Sequence, residues 1–333
     1  MATEFSEILK RPEALTEWAS VVVYKGQMTD EQKDITDGVD EVVRKIGETG
    51  YDRDHDLSAM IKRAFTPDVV TGASDLLDRM FDQTSIGEFD DIRVEVDPKN
   101  TFKVHEAIPG GNVERSFIDH TVLTPTYKEL QAETHFTNRE LRYGGYRTVA
   151  NAIQLMNEQF ELQKVASVMS AIQTAIPSTA TTQYFDGTAA TMPTETLADN
   201  LVLYLHDVSE GDTPFMFMLN KYLQKISKLA QAERWPTEMV RNMYNTTGFI
   251  SQYAGCDLLG FSGQRKTAAQ TLAIPDKNIF GVAGKIGTMI TRGETRVLQE
   301  EEINRELTHI KVGGYSFGWV ITDISKAARI VLQ

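Results

Sequence analysis

The feature that most constrains the fold is an uninterrupted helical pattern of about 30 residues, YRTVANAIQLMNEQFELQKVASVMSAIQTAI, which ends before Pro177. Its apolar residues recur at intervals of three and four, as one stripe with a small phase shift at the middle. The residues expected to form its buried face are Val149, Ile153, Met156, Phe160, Val165, Met169 and Ile172. Such a helix is roughly 45 Å long. It is either an ordinary core helix or the spine of an elongated, flattened molecule, and the length favours the second.

The composition excludes several classes of protein. The chain has 333 residues, 41% of them hydrophobic, which suffices for two domains or for one domain with large excursions. The single cysteine, Cys256, excludes an internal disulfide and thiolate clusters for zinc or iron–sulfur. The net charge of −13 argues against a nucleic-acid reader. Because no membrane span and no secretory signal is recognised, synthesis in the cytoplasm is expected.

The N-terminal region is the most acidic part of the chain. Residues 1–56 hold 14 acidic and 7 basic side chains, a net charge of −7. Residues 29–46 predict a helix that opens with a capping box at Thr29 and Gln32 and closes at Gly47. Its apolar stripe is narrow, so we expect an arm or edge that stays mostly in solvent. Residues 50–58 predict a hinge or linker.

Residues 101–122, TFKVHEAIPGGNVERSFIDHTV, predict a β-hairpin. Pro109, Gly110 and Gly111 permit the tight reversal of the chain. Neither flanking run has a convincingly apolar face, and an isolated hairpin is at best marginal in water. The hairpin must therefore lie either on its own subunit or on another chain. The side chains expected to anchor it are Phe102, Val104, Phe117 and Ile118.

The remaining segments predict short helices and strands. A second capping box at Thr137 and Glu140 opens a short helix that Gly144 and Gly145 end. Residues 178–193 are small and polar, which predicts a connector at a domain boundary. Beyond it, helices and buried strands alternate as in an α/β sandwich, and the C-terminal end is rich in strands.

None of the motifs in the chain forms a convincing catalytic or metal site. GYSFG at 314–318 matches a nucleophile elbow, but strand residues follow where a helix is required, and the last histidine, His309, precedes the serine. GFSGQRKT at 260–267 and GVAGKIG at 281–287 lack residues that a phosphate loop needs. The six histidines lack metal-ligand spacing, and the run of Glu300, Glu301 and Glu302 is typical of a solvated face. We predict no enzyme activity, no cofactor and no metal.

The order of these elements resembles the major capsid protein of tailed double-stranded DNA bacteriophages, a fold shared with encapsulins, from about residue 60 onward. The similarity lies in NREL with the long helical run, in TPFMFMLNKYLQKI, in NIFGVAGKIGTMITRGETRVLQEE and in ITDISKAARIVLQ. It implies an α+β fold with a peripheral domain (a long spine helix plus a β-sheet), an axial α/β domain, an extended β-hairpin loop and an N-terminal arm. The implied segments are the arm 1–60, the extended loop 97–123, the axial domain 179–305, and a peripheral domain built from 61–96, 124–178 and the closing strands 306–333.

The resemblance also implies a function. The chain would self-assemble, through hexamers and pentamers, into the icosahedral or prolate shell around a phage genome, in the host cytoplasm, and would end up in the virion. The hairpin and the arm would lie across neighbouring subunits. Further expected partners are a separate scaffolding protein, a portal, a decoration protein and packaged DNA bound without sequence specificity. No membrane partner and no N-terminal processing are expected.

Two other functions stay open at this point. An encapsulin-like bacterial nanocompartment shell would share the resemblance, although no groove for a cargo peptide is located in the sequence. A soluble hydrolase has only the GYSFG run in its favour.

Overall fold

The computed structural model describes residues 12–24, 26–50, 52, 56–64, 74–88, 90, 92–96, 121–187, 191–229, 249–263, 267, 269–293, 295–302, 306–314 and 316–333. The α-helices in these ranges are α1 (Pro12–Tyr24), α2 (Asp30–Thr49), α3 (Asp56–Ala64), α4 (Ser74–Met80), α5 (Asn138–Gly144), α6 (Tyr146–Ala175), α7 (Glu195–Val208) and α8 (Asn220–Leu229). The strands are β1 (Phe81–Ile86), β2 (Val94–Val96), β3 (Thr121–Leu123), β4 (Thr126–Glu129), β5 (Ala132–Thr137), β6 (Tyr184–Gly187), β7 (Pro214–Leu219), β8 (Gln252–Tyr253), β9 (Cys256–Phe261), β10 (Asn278–Ala283), β11 (Gly287–Arg292), β12 (Arg296–Glu302), β13 (Leu307–Gly313), β14 (Ser316–Ile321) and β15 (Ala327–Leu332).

The long helix α6 is shared between two hydrophobic cores. Its first half, from Val149 to Phe160, packs with α1, α2, α3, β5 and β13. Its second half, from Leu162 onward, packs with α7 and with strands β7, β10 and β15. At about 100° per residue, the buried side chains of the two halves point to nearly opposite sides of the helix. The prediction of one stripe with a small phase shift is therefore wrong, because the apolar side changes between Phe160 and Leu162.

The N-terminal region packs on the chain's own long helix. Trp18 of α1, Val39 of α2 and Met60 of α3 are fully buried in the same core as Val149. In the described part of residues 1–60, buried side chains of all three helices therefore belong to the core of the chain's own long helix. The apolar side chains of the three helices are covered by one another and by α6. The expectation of an arm that crosses to neighbours stays a prediction.

Helix α2 has the predicted start and a different end. Its capping box at Thr29 and Gln32 is present, but the helix continues through Gly47 and ends at Gly50, which adopts φ 69°. A side chain at position 47 would place its Cβ 2.6 Å from the backbone nitrogen of Arg142 on α5. Gly47 is therefore a close-packing residue, and Gly50 supplies the left-handed conformation that closes the helix.

Within the predicted linker 50–58, the described residue Asp52 is held in place by hydrogen bonds. This carboxylate is 2% exposed and accepts hydrogen bonds from the backbone nitrogens of Asp56 (2.9 Å) and Leu57 (3.0 Å), so it caps α3. The side chain of Glu301 on β12 accepts a hydrogen bond from the backbone nitrogen of Asp52 at 3.0 Å. The side chain of Gln299 donates a hydrogen bond to the carboxylate of Asp52 at 3.1 Å. The predicted linker is therefore fixed to a strand, and Glu301 is not part of a solvated face.

The sheets correct the predicted segments. The largest has the order β6-β15-β10-β7-β9-β8, and the others are β1-β11-β14-β4, β12-β13-β5 and β2-β3. Strand β15 lies between β6 and β10, so the closing strands 306–333 are divided among different sheets and between two cores, β13 with the first half of α6 and β15 with its second half. The connector 178–193 contains β6, which pairs in parallel with β15. Strand β11, predicted within 179–305, pairs with β1 and β14 outside it.

Candidate functional site

A groove with a volume of 620 Å³ runs along the first half of α6. Its floor is a helical stripe at three- and four-residue spacing, formed by Ala152, Leu155, Met156, Gln159, Phe160 and Gln163. Its wall is the run from Glu129 to Thr134, which joins β4 to β5. Leu155 is 58% exposed, which is unusual for a leucine at the centre of a long helix. The floor of the groove therefore carries apolar surface that is accessible to a ligand or to another protein segment.

Strand β5 presents a backbone edge to this groove. Among the described residues its hydrogen-bonded partner is β13, with His135 opposite His309 and Glu133 opposite Lys311. Phe136, 2% exposed, faces the core shared with α6. Both odd- and even-numbered residues of the wall line the groove. Because successive side chains of a strand point to opposite faces of the sheet, a groove that contacts both sets lies along the edge of the strand. An edge strand offers backbone N–H and C=O groups that another strand can use.

The rim of the groove is acidic and polar. Glu129 accepts a hydrogen bond from the Gln131 side chain at 2.6 Å, and Glu133 lies 3.6 Å from Nδ1 of His309. Glu302 lies 3.6 Å from the other ring nitrogen of His309. In the described residues no group of three or more His, Cys, Asp or Glu side chains is arranged to hold a metal ion. The rim thus carries negative charge around an apolar floor.

The N-terminal region sets the position of the groove floor. Gly145 precedes α6 and offers no side-chain cap. Asp40 of α2 accepts a hydrogen bond from the backbone nitrogen of Tyr146 at 3.3 Å and from Arg44 at 2.6 Å. A carboxylate at this position satisfies an orphan donor and complements the positive end of the helix dipole. No local motif could reveal this cap, because it comes from 106 residues away.

The motifs considered for chemistry have structural positions. Ser316 of GYSFG begins β14, which continues as a strand to Ile321. Lys285 of GVAGKIG donates to Asp82 at 2.7 Å and to the carbonyl of Phe81 at 3.2 Å, which joins the turn after β10 to β1. Burial raises the pKa of the Cys256 thiol to about 11. No helix of the described part is long and apolar enough to cross a membrane.

The predicted site residues divide into two groups. Val149, Ile153, Met156, Phe160, Val165, Met169 and Ile172 are all buried along α6. Phe102, Val104, Pro109, Gly110, Gly111, Phe117 and Ile118 lie outside the described residues. Sequence reasoning missed the groove. Its one available signal was Leu155, an apolar residue that falls outside the buried side of the helix.

Three solved structures are similar in fold to most of this chain. The capsid of the native GTA particle matches with a TM-score of 0.56 and 14% identity, over 79% of this chain and 91% of that chain. The structure of Microbacterium phage Oxtober96 matches with a TM-score of 0.53 and 11% identity, over 81% and 93%. That of Mycobacterium phage Adephagia matches with a TM-score of 0.52 and 8% identity, over 85% and 98%. No protein-family model and no curated protein matches the sequence. At these identities the similarity establishes a shared fold.

Proposed function

We propose, from the tailed-phage major capsid fold that this chain has, that it is the subunit of the shell around the double-stranded DNA genome of a tailed phage. The observation that carries the proposal is the coverage. The match extends over 79% of this chain and 91% of the chain from the native GTA capsid, so nearly the whole solved subunit has a counterpart here. A structural, non-enzymatic role follows from the fold. The virion is the corresponding location.

The subunit would assemble with copies of itself into hexamers and pentamers. Its contact element would be the hairpin within 97–123, whose two strands lack an apolar face of their own. A two-stranded hairpin needs a third surface to be stable. Many such modest contacts, repeated around a closed shell, give a strong assembly without any single strong interface.

We propose that the body of the subunit is divided differently from the sequence expectation. The peripheral unit would be the core around the first half of α6, with α1, α2 and α3 in place of an arm. The axial unit would be the six-stranded sheet with α7 and α8, including the closing strand β15. The second half of α6 runs into this core.

The scaffolding function would belong to a separate protein. Helices α1, α2 and α3 cover Val149 and Ile153, which are 0% and 1% exposed. Removal of these helices would expose that apolar face, so the N-terminal region is needed in the finished subunit. A portal and a decoration protein are further proposed partners. Packaged DNA would be held without sequence-specific contacts, since a net charge of −13 repels phosphate.

Electron microscopy and sedimentation of the purified protein test this function. We expect closed shells, or capsomers that close into shells when a scaffolding protein is added. Empty particles mixed with DNA should not bind it at low salt, because the net charge of −13 repels phosphate. A monodisperse monomer at every accessible concentration, with no particles in either condition, would show that the chain is not a shell subunit.

A further inference from the structure

His309 lies on the middle strand of the sheet β12-β13-β5, on the face that points away from the core. In the register of the sheet it stands opposite His135 on β5 and opposite Glu300 on β12. Residues directly opposite one another on neighbouring strands share one face of a sheet. The other face carries Phe136 and Ile310, which are buried in the core with α6. The His309 side chain is 31% exposed, so solvent protons reach it.

Each ring nitrogen of His309 faces a carboxylate on a different neighbouring strand. Nδ1 lies 3.6 Å from an oxygen of Glu133 on β5, and Nε2 lies 3.6 Å from an oxygen of Glu302 on β12. A neutral imidazole carries hydrogen on one of its two nitrogens, whereas the charged ring carries hydrogen on both. Only the charged ring can therefore serve both carboxylates at once, and in that form it joins all three strands.

The other charged groups near His309 leave an excess of negative charge around its ring. The carboxylates that face this part of the sheet come from β5, β12 and the start of α5, and they belong to Glu133, Glu300, Glu302 and Glu140. The cations on the same face are Lys311, two residues along β13, and His135 when it is charged. The ring centroids of the two histidines are 6.0 Å apart. Four carboxylates thus face at most two other cations, which favours a positive charge on His309.

We propose that His309 is a pH-dependent clip of this sheet, which ties β5 and β12 to β13 when its ring is charged and loosens them when the ring is neutral. Histidine is the side chain whose charge ordinarily changes between about pH 5 and pH 8. Because the ion pairs form only with the charged ring, its protonation favours the folded sheet. By linkage, the added stability is full on the acidic side of this range and is lost as the pH rises and the ring becomes neutral.

The clip acts within one subunit, so it goes beyond the proposed function and does not depend on it. Strand β5 also forms part of the wall of the groove along α6. The edge of that strand is therefore held most firmly in mild acid and opens more easily above neutral pH.

Hydrogen exchange of dilute, unassembled subunits, followed by mass spectrometry, tests the clip. The quantity compared is the protection of peptides that cover β5 and β13, corrected for the intrinsic exchange rate at each pH. In the unmodified protein we expect protection to be about fivefold higher at about pH 5.5 than at about pH 8, which is the size of two exposed ion pairs. In His309→Gln, whose side chain is polar but cannot be charged, the difference should fall below about twofold. An equal pH dependence in both proteins would overturn the proposal.

Removal of the carboxylates tests whether the clip reaches both neighbours. Glu133→Gln and Glu302→Gln should each remove about half of the gain in protection at about pH 5.5, and the double variant should remove nearly all of it. If the double variant keeps the full gain, the two-sided clip is wrong. Should His309→Gln fail to fold, this double variant answers the same question.

The matched control is His206→Gln. His206 lies on α7, and its Nε2 is 2.9 Å from the carbonyl oxygen of Ala254, far from the sheet in the chain's other core. This variant should leave the pH dependence of β5 and β13 unchanged. A loss of that dependence as large as in His309→Gln would show that the response does not arise at His309, and it would sink the clip while leaving the proposed function untouched.

Discussion

The burial of Trp18 predicts how strongly the N-terminal region is held to its own subunit. The Trp18 side chain is 0% exposed, and its ring centroid lies 6.4 Å from that of Tyr146 at the start of α6. Its Nε1 donates a hydrogen bond to the hydroxyl of Thr36 on α2 at 2.9 Å. Replacing it with alanine removes the largest side chain between α1, α2 and α6.

The expected loss can be estimated from the packing. Truncation of a buried aromatic residue to alanine costs about 3–5 kcal/mol. The hydrogen bond adds little to this, because the hydroxyl of Thr36 still donates to the carbonyl of Gln32 at 2.7 Å. With a urea dependence of about 3 kcal/mol per molar, a loss of about 4 kcal/mol lowers the unfolding midpoint by a little over 1 M.

The measurement is urea unfolding of dilute, unassembled subunits, so that neighbouring copies contribute nothing. Leu203→Ala is the control, since this leucine is 63% exposed and its truncation should move the midpoint by less than about 0.2 M. A Trp18→Ala subunit with the midpoint of the unmodified protein would refute the reasoning. It would mean that α1 is not part of the subunit's own core and reaches a neighbour as an arm.

Three further outcomes test other parts of the structure. Gly47→Ala should lower the free energy of unfolding by about 1–3 kcal/mol, and with it the melting temperature, because its Cβ would lie 2.6 Å from the backbone nitrogen of Arg142. Since alanine by itself favours a helix, an increase in melting temperature would contradict the close packing. Hydrogen bonds from the backbone and hydroxyl of Thr137 lower the pKa of Glu140 below its ordinary value, so its carboxylate stabilises the folded state at pH 7. Glu140→Gln should therefore lower the melting temperature at pH 7, and the difference from the unmodified protein should disappear as the pH falls through the folded-state pKa of Glu140. A difference in melting temperature that does not depend on pH would contradict this. The Cys256 thiol, with a pKa of about 11, should react with iodoacetamide at pH 8 at least about 100-fold more slowly than in urea, and equal rates would show that the site is open.

Local features of the fold were predictable because each is decided within one turn of chain. The capping boxes at Thr29 and Thr137 need only a hydroxyl and a carboxylate or amide three residues apart. The continuous apolar run of β7 could only be a strand buried on both faces. The helix α6 followed from its period, whereas its division between two cores was not predicted.

The partners of the strands could not be predicted in the same way. The apolar pattern of β15 predicts a buried strand but does not identify its sheet or its neighbours. Its neighbours β6 and β10 are chosen by tertiary packing between segments that lie about 145 and about 50 residues away in the chain. The role of Gly47 could not be predicted for the same reason. In the sequence, a glycine that ends a helix cannot be told from one that allows another helix to pack closely, and only the position of α5 decides between them.

The change of apolar side along α6 determines how the two cores are connected. Residues up to Phe160 point into the core of the N-terminal helices, and residues from Leu162 point into the core of the six-stranded sheet. At 100° per residue the mean directions of the two sets of buried side chains differ by about 140°, so the two cores lie on different sides of one helix.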